Sequence, residues 1–189
     1  MSSEKPGLLI ILSAPSGCGK TTVTNELLRR DSRAVRSVSW TTRAPRPGEK
    51  HGKDYFFVTR RQFESARKKR GFLEWAKVYH EFYGTPRDFV ESRLACGNDV
   101  VLVIDTKGAK QVQRKMSCTS VFLLPPSLEV LKQRLSNRNS DSKKQLAKRL
   151  KEVKKEVGQS REYDYRLTNH TVRETVREIK KILRKERNQ

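Results

Sequence analysis

Cysteine, tryptophan and long apolar runs are all scarce in this chain. Its 189 residues include three cysteines and two tryptophans. Three widely spaced cysteines give neither the density of a disulfide-stabilised secreted domain nor the ligand spacing of a zinc site. No apolar run approaches the roughly 18 residues that a membrane helix needs, and the first residues lack a signal-peptide pattern. We therefore expect a soluble, cytoplasmic single-domain protein without a membrane partner, a monomer being favoured over an assembly.

Acidic residues are also few, so the chain is strongly basic. It has 42 Lys and Arg against 21 Asp and Glu, a formal net charge of +21. Such a field attracts polyanions, nucleic acid included, as well as nucleotide phosphates. The alternative is that the basic side chains form solvated helix faces, because no aromatic-interleaved platform or zinc-finger spacing accompanies them. Nucleic acid is kept here only as a secondary, charge-driven partner.

Short apolar runs alternate with helical patterns along the chain. Strand-like runs lie at residues 8–12, 35–40, 55–58, 100–104, 120–124 and, more weakly, 165–168. Helical patterns lie at 20–30, 59–70, 86 onward, 107–115, 127–137, 142–159 and 171–187. The alternation predicts an α/β fold with a parallel sheet and flanking helices. Turns and aromatic residues between 35 and 83 predict a small mixed α/β insertion, and the polar stretch before 142 predicts a mobile helical lid.

A glycine-bearing loop connects the first strand-like run to the first helix. Residues 14–22 read Ala-Pro-Ser-Gly-Cys-Gly-Lys-Thr-Thr, with Ala where the motif usually begins with Gly. Backbone N–H groups of such a loop bind phosphate oxygens, the lysine adds positive charge, and the first threonine hydroxyl can bind Mg²⁺. The following helix directs the positive end of its dipole at the same phosphates. The motif predicts a nucleoside triphosphate site with Mg²⁺ as cofactor, with Thr21 as metal ligand. The residues of this site are Pro15, Ser16, Gly17, Cys18, Gly19, Lys20, Thr21 and Thr22.

A second phosphate site is indicated by Arg43 and Arg46, which proline residues hold three positions apart as a fork suited to a phosphate monoester. The segment 39–49 reads Ser-x-Thr-Thr-Arg-x-Pro-Arg-x-Gly-Glu. Gly-Lys-Asp-Tyr follows at 52–55, Phe-Leu-Glu-Trp at 72–75 and Tyr-Gly-Thr at 83–85. In these motifs the chain resembles the guanylate kinase family, from residue 8 to about residue 183. The segment 39–49 is far more specific than the phosphate loop.

The resemblance implies a phosphate-loop NTPase-like core at 6–34, 97–137 and 160–189, a GMP-binding lobe at 35–96 and a lid at 138–159. It implies transfer of the γ-phosphoryl group of ATP to GMP, and to dGMP. Guanine presents N1–H and N2–H₂ donors together, and a carboxylate that accepts both rejects adenine. The implied GMP-binding residues are Ser39, Arg43, Arg46, Glu49, Tyr55, Glu74, Tyr83, Gly84, Thr85 and Asp105, with Glu74 and Ser39 at the guanine edge.

On the donor side, the resemblance adds Asn169 and His170 at the adenine. The implied catalytic residues are Lys20, Arg46 and the lid arginines Arg138 and Arg149, which would stabilise charge during direct in-line transfer. Three positions depart from the family pattern. Lys107 stands where members of the family often have Gln. Val103 stands where an acid usually precedes Asp105 by two residues, and His170 replaces an Asp, from which we expect weaker selectivity for the donor base.

Two other functions are compatible with this fold class. A catalytically idle, guanylate-kinase-like protein-binding module typically loses the loop lysine and shortens the lid, whereas Lys20, Arg138 and Arg149 are all present. A kinase of the same architecture could act on another phosphorylated acceptor, but Glu74 with Ser39 favours guanine. The sequence therefore favours an active enzyme.

Overall fold

The computed structural model describes residues 6–78, 80–136 and 143–188, without the side chains of Leu128 and of residues 134–149. The strands in these ranges are β1 (Leu9–Ser13), β2 (Ala34–Arg36), β3 (Trp40–Thr41), β4 (Phe56–Phe57), β5 (Phe72–Val78), β6 (Glu81–Pro86), β7 (Asp99–Val103), β8 (Thr119–Leu124) and β9 (Tyr165–Thr168). The helices are α1 (Lys20–Arg30), α2 (Arg60–Lys68), α3 (Arg87–Ala95), α4 (Thr106–Gln113), α5 (Leu128–Ser136), α6 (Lys143–Gln159) and α7 (Val172–Arg187), with a 3-10 turn at Ser160–Glu162. None of the helices in the described ranges is both long and apolar enough to cross a membrane.

A five-stranded parallel sheet in the order β2-β7-β1-β8-β9 forms the centre of the molecule. Its middle strand, β1, is buried along its whole length. Ile10 and Leu12 pack in one apolar cluster with residues of α1 and α7, whereas Leu9 and Ile11 pack in another with residues of α3 and α4. Burial on both faces explains why this strand is continuously apolar instead of alternating. The predicted parallel α/β core is confirmed.

The insertion forms a second, mixed sheet of four strands in the order β4-β3-β6-β5. Its core is aromatic: the Phe63 ring stacks on Phe72 with centroids 4.5 Å apart and on Phe82 with centroids 5.3 Å apart. A Cβ at Gly84 would lie 2.9 Å from the Phe72 ring, closer than van der Waals contact allows. Gly84 therefore has a packing function in the lobe, whatever its contact with a ligand.

The structure corrects three predicted elements. The run 35–40 is not one strand, because β2 pairs with β7 in the parallel sheet while β3 pairs with β4 and β6 in the mixed sheet. The β5–β6 hairpin carries the Phe-Leu-Glu-Trp and Tyr-Gly-Thr motifs, but apolar alternation did not predict either strand. Pro86 is the last residue of β6, and α3 begins at the next residue, Arg87. Pro86 therefore precedes the first turn of the helix, whereas the pattern predicts it within that turn.

The C-terminal helix is attached to the sheet by a buried ion-pair cluster. Asp99 on β7 is fully buried, and one of its carboxylate oxygens accepts a hydrogen bond from the Leu8 N–H at 2.9 Å. Its other oxygen accepts from Arg187, the last residue of α7, with Nε at 2.8 Å. Arg187 also donates to Asp31, just beyond α1, at 3.2 Å. One guanidinium thus joins α7, β7 and the end of α1.

We predict that Arg187→Met lowers the free energy of unfolding by about 2–4 kcal/mol, because the buried Asp99 carboxylate loses its cation. Urea unfolding followed by circular dichroism measures this change. Arg184→Met on the same helix is the matched control, since Arg184 is exposed, and it should change stability by less than about 0.5 kcal/mol. Equal losses in the two variants would contradict the anchoring function of Arg187.

Candidate active site

The phosphate loop begins where β1 ends and leads directly into α1. Gly17 and Gly19 have φ angles of +85° and +84°, the left-handed region that other residues adopt only with strain. Gly19 immediately precedes α1, and no side chain of the described residues caps that helix. The N–H groups of its first turn are therefore available for an anion, as the motif predicts.

The Lys20 amine lies under this loop and donates a hydrogen bond to the Ala14 carbonyl. Burial lowers the pKa of Lys20, and the nearby carboxylates of Glu156 and Asp105 partly oppose that change. Glu156, on α6, is half-buried, and its own pKa is raised by burial. Glu156 belongs to no sequence motif, because its position near Lys20 depends on how α6 packs.

Asn169 attaches the phosphate loop to α7. It is buried; its amide nitrogen donates to the Cys18 carbonyl at 2.8 Å, and its amide oxygen accepts from the Thr175 hydroxyl at 2.8 Å. A Cβ at Gly19 would lie 3.0 Å from the same amide nitrogen. Asn169 therefore shapes the loop from behind, while its contact with adenine stays a prediction. His170 beside it is exposed.

Three of the predicted GMP-binding residues, Arg43, Tyr55 and Tyr83, lie together beside the mixed sheet. The Arg43 Nε donates to the Tyr83 hydroxyl at 3.2 Å, and its guanidinium lies 5.6 Å from the centre of the Tyr55 ring. The Glu49 carboxylate accepts from Arg43 Nη2 at 2.9 and 3.0 Å, and from the Arg46 backbone N–H at 2.8 Å. Because a carboxylate repels phosphate, Glu49 is suited to orient Arg43 and not to bind the anion itself. The Arg46 side chain is exposed.

Glu74 occupies a buried pocket between β5, β6 and α4. It is 5% exposed, and its Oε1 accepts a hydrogen bond from the Thr85 hydroxyl at 2.6 Å. Its Oε2 lies 3.0 Å from the position that a Cβ on Gly108 would take, so a side chain there would press on the carboxylate. Ser39 precedes Trp40, which pairs with Gly84, so the β3–β6 register places Ser39 beside Thr85. Glu74, Thr85 and Ser39 therefore lie in one row across three neighbouring strands of the mixed sheet, while their contact with guanine stays a prediction.

Burial raises the pKa of Glu74 from its ordinary value of 4.5 to about 7. The Asp105 carboxylate contributes to this rise in the pKa of Glu74, while the Thr85 hydrogen bond and the Lys115 ammonium oppose it. Asp105 caps α4 by accepting from the Gly108 N–H at 2.8 Å. The Asp105 carboxylate raises the pKa of both Glu74 and Lys20, so it lies near the buried carboxylate and near the phosphate-loop amine.

Of the two predicted lid arginines, Arg138 lies outside the described residues. Arg149 belongs to α6, whose helical backbone is described at this position, but its side chain is not. Their catalytic roles stay predictions.

A phosphate loop on the central strand and an Arg–Tyr site with a buried carboxylate in an inserted lobe define a nucleoside monophosphate kinase of the phosphate-loop class. Residues 7–186 match the family model for guanylate kinase, and the chain belongs to that family. The guanylate kinase of Wolbachia pipientis wMel is 48% identical over 189 residues, covering 99% of this chain and 94% of that protein. That of Rickettsia felis is 42% identical over 188 residues, covering 99% of this chain and 98% of that protein.

Solved structures agree with this assignment. The crystal structure of guanylate kinase from Anaplasma phagocytophilum superposes with a TM-score of 0.80 at 38% identity, covering 98% of this chain and 89% of that one. A shikimate kinase from Bacteroides thetaiotaomicron reaches a TM-score of 0.52 at 16% identity and shares the fold alone. The family resemblance deduced from the motifs is confirmed.

We predict that the wild-type protein loses stability relative to a Glu74→Gln variant as pH rises from about 4.5 to 7. The folded protein keeps a proton on Glu74 that the unfolded chain releases over this range, so wild-type stability falls with pH, by up to about 3 kcal/mol. Urea unfolding between pH 5 and 8 measures the difference. The exposed Glu91→Gln variant is the control. If the curves for Glu74→Gln and wild type stay parallel, Glu74 ionises at its ordinary pKa.

Proposed function

We propose that this guanylate kinase family member performs ATP-dependent phosphorylation of GMP to GDP in the cleft between the phosphate loop and the Glu74 pocket. The observation that carries the proposal is the position of Asp105. It follows β7, the parallel neighbour of β1, and its carboxylate lies near enough to raise the pKa of both Lys20 and Glu74. An ATP bound on the loop and a GMP bound at Glu74 would therefore present their phosphates to each other.

The donor site combines the loop backbone, the start of α1 and Lys20. A bound triphosphate would replace the Ala14 carbonyl as the partner of the Lys20 amine and restore charge compensation to a buried cation. Asn169 would hold the loop in its phosphate-binding shape through the Cys18 carbonyl. In this arrangement the backbone supplies most of the phosphate contacts and Lys20 supplies the charge.

Guanylate kinases generally use MgATP, and the donor residues fit that cofactor. Within the described ranges no group of three or more His, Cys, Asp or Glu is placed to hold a metal ion. Mg²⁺ suits the phosphate loop, because this ion keeps several waters and binds through substrate phosphates with few protein oxygens. The exposed Thr21 hydroxyl at the start of α1 would be its protein ligand. When bound, the ion supplies neutralisation of the charge on the transferring phosphoryl group.

The acceptor site would bind GMP at two points. Arg43, Arg46, Tyr55 and Tyr83 would hold the phosphate, with Glu49 fixing the Arg43 guanidinium. The ionised Glu74 would accept hydrogen bonds from guanine N1–H and N2–H₂, with Thr85 and Ser39 completing the polar edge. Adenine offers an acceptor at N1 and would leave the buried carboxylate unpaired, which disfavours AMP by several kcal/mol.

The chemical step needs positioning and charge stabilisation, and no protein nucleophile. An oxygen of the GMP phosphate forms a bond to the γ-phosphorus as the bond to the β–γ bridging oxygen breaks, giving GDP and ADP. Lys20 and Arg46 would stabilise the charge that develops on the transferring group. Arg138 and Arg149 would add to this from the lid, whose closure would exclude water and suppress hydrolysis of ATP.

We predict that a coupled ADP-release assay across GMP, dGMP, AMP, UMP and CMP detects turnover with GMP and dGMP above all. Lys20→Ala should lower kcat by at least about 100-fold, as removal of a transition-state cation does. Glu74→Gln should lose the preference for GMP over AMP, because an amide cannot accept both guanine donors. Arg184→Met is the control and should keep wild-type rates.

Two outcomes would contradict the proposal. Wild-type turnover in Lys20→Ala would mean that the loop does not bind the reacting phosphates. No turnover with any acceptor in the wild-type protein would favour the protein-binding module instead.

We infer a second, independent property from a basic groove between α1 and α7. The groove has a volume of about 800 Å³ and is lined by Arg30, Arg173, Glu174, Val176, Arg177, Lys180, Lys181 and Arg184. Arg173, Arg177 and Lys181 repeat every four residues and are exposed, so they form a stripe along α7. A line of cations on a concave surface is suited to the phosphate backbone of a single-stranded nucleic acid.

We predict that fluorescence anisotropy with a labelled single-stranded DNA shows salt-dependent binding through this stripe. Replacing Arg173, Arg177, Lys181 and Arg184 together by Gln should reduce the slope of log K against log salt by about 3, with kinase activity unchanged. The control replaces Arg61, Lys68, Lys69 and Arg114, which are exposed elsewhere. Equal slopes for the two variants would mean that net charge, and not the groove, attracts the nucleic acid.

A further inference from the structure

The backbone on both sides of Glu74 is hydrogen-bonded by side chains of α4 and the turn that follows it. The Gln111 amide nitrogen donates to the Trp75 carbonyl at 3.0 Å, and its oxygen accepts from the Trp75 N–H at 3.3 Å. The Lys115 ammonium donates to the Leu73 carbonyl. Leu73 and Trp75 are the residues immediately before and after Glu74. This segment therefore holds both chain neighbours of the buried carboxylate.

These contacts satisfy a requirement of the sheet. β5 is an edge strand, because the order β4-β3-β6-β5 leaves its outer side without a strand partner. Within β5, Glu74 and Trp75 are in register with Thr85 and Gly84 of β6. Backbone groups at the outer edge need partners from elsewhere, and Gln111 and Lys115 supply them. The position of this part of β5 is thus set by α4 as well as by β6.

The same face of α4 also contacts the Glu74 side chain. Gly108, Gln111 and Lys115 are spaced three and four residues apart, which places them along one side of the helical path. Gly108 allows Oε2 of Glu74 to approach the helix backbone, while Oε1 accepts from Thr85. Gly108 therefore lies against the Glu74 carboxylate, and Gln111 and Lys115 bond its two chain neighbours, Trp75 and Leu73.

α4 is itself fixed to the core and to the base of the lid helix. Ala109 and Val112 are fully buried against the parallel sheet. The Thr106 hydroxyl donates to the side-chain oxygen of Gln159, the last residue of α6, at 2.8 Å, and Lys110 pairs with Glu162 at 2.7 Å. A support anchored in this way cannot follow movements of the mixed sheet without losing core contacts.

We propose that Gln111 and Lys115 are positioning residues for guanine recognition, holding Glu74 in its acceptor geometry before GMP binds. The inference rests on the proposed function of Glu74 as the guanine acceptor. Neither Gln111 nor Lys115 would touch the bound guanine, because both bond the backbone of β5 and act through that strand. Lys115 has a second effect, since its positive charge favours the ionised carboxylate that guanine requires.

The charged groups around the carboxylate define how its ionisation should respond. Asp105, at the start of α4, raises the pKa of Glu74, and Lys115 lowers it. Arg87 on α3 lies near Lys115 and, with burial of the amine, lowers the pKa of Lys115. Removing the Lys115 charge leaves only the Thr85 hydrogen bonds to oppose Asp105 and burial, and so moves the pKa of Glu74 upward. Gln111 is neutral, so its removal changes geometry without this shift.

The test compares Gln111→Leu, Lys115→Met, Lys115→Arg and Arg114→Met by steady-state kinetics at several pH values. Gln111→Leu and Lys115→Met should raise KM for GMP about tenfold, the loss expected for about 1.4 kcal/mol of hydrogen bonding, with KM for ATP within about twofold of wild type. Only Lys115→Met should also move the acidic inflection of kcat/KM for GMP to higher pH. Lys115→Arg should restore both values.

Arg114→Met removes an exposed positive charge next to Lys115 and should change neither constant. The proposal is overturned if Gln111→Leu and Lys115→Met keep the wild-type KM for GMP, or if both substrates are affected equally, as a general loss of structure would cause. Melting temperatures with and without GMP are measured on all variants. If either Gln111→Leu or Lys115→Met is poorly folded, the kinetic constants of the other variant decide the test.

Failure of this inference can be separated from failure of the proposed function by Glu74→Gln. If Glu74→Gln loses the preference for GMP over AMP while the α4 variants behave as wild type, only the positioning inference fails. If Glu74→Gln keeps the preference, Glu74 is not the guanine acceptor and both proposals fail.

Discussion

Burial of β1 on both faces is the constraint from which the arrangement of the site follows. Every residue of this strand is buried, and its end is tied to β7 by the Ser13 hydroxyl, which donates to the Ile104 carbonyl at 2.8 Å. Because β1 and β7 are parallel neighbours, their carboxyl ends open at the same edge of the sheet. The phosphate loop and Asp105 therefore emerge side by side, and α1 and α4 both begin at this edge of the sheet.

The elements that the sequence predicted well are those with a complete local signature. β1, β7 and β8 were predicted to within one residue at each end, because burial on both faces makes them continuously apolar. The helical pattern predicted from residue 59 begins where Thr59 caps α2, in a capping box with Gln62 whose two hydrogen bonds both form. The division of the run 35–40 had no such signature. It depends on Val101 and Gly84, pairing partners that lie far along the chain.

The same distinction applies to the site. The loop motif predicted its own conformation, since Gly17 and Gly19 adopt the left-handed angles that the motif needs. The segment 39–49 predicted an arginine fork, but the pairing of Glu49 with Arg43 came only with the fold. Asn169 was predicted from a resemblance as a base contact, and its hydrogen bond to Cys18 spans 151 positions of the chain. Contacts between residues so far apart in the chain cannot be predicted from a single sequence.

The outer side of β5 has a consequence for the protein in concentrated solution. An uncovered strand edge is a template on which the strand of another molecule can pair, and this is a common start of aggregation. Here Lys115 occupies the Leu73 carbonyl, Gln111 occupies the carbonyl and the N–H of Trp75, and Lys77 is exposed further along the strand. A neighbouring chain would have to displace these side chains and accept a lysine at the junction. The contacts that hold the carboxylate thus also protect the mixed sheet from intermolecular strand addition.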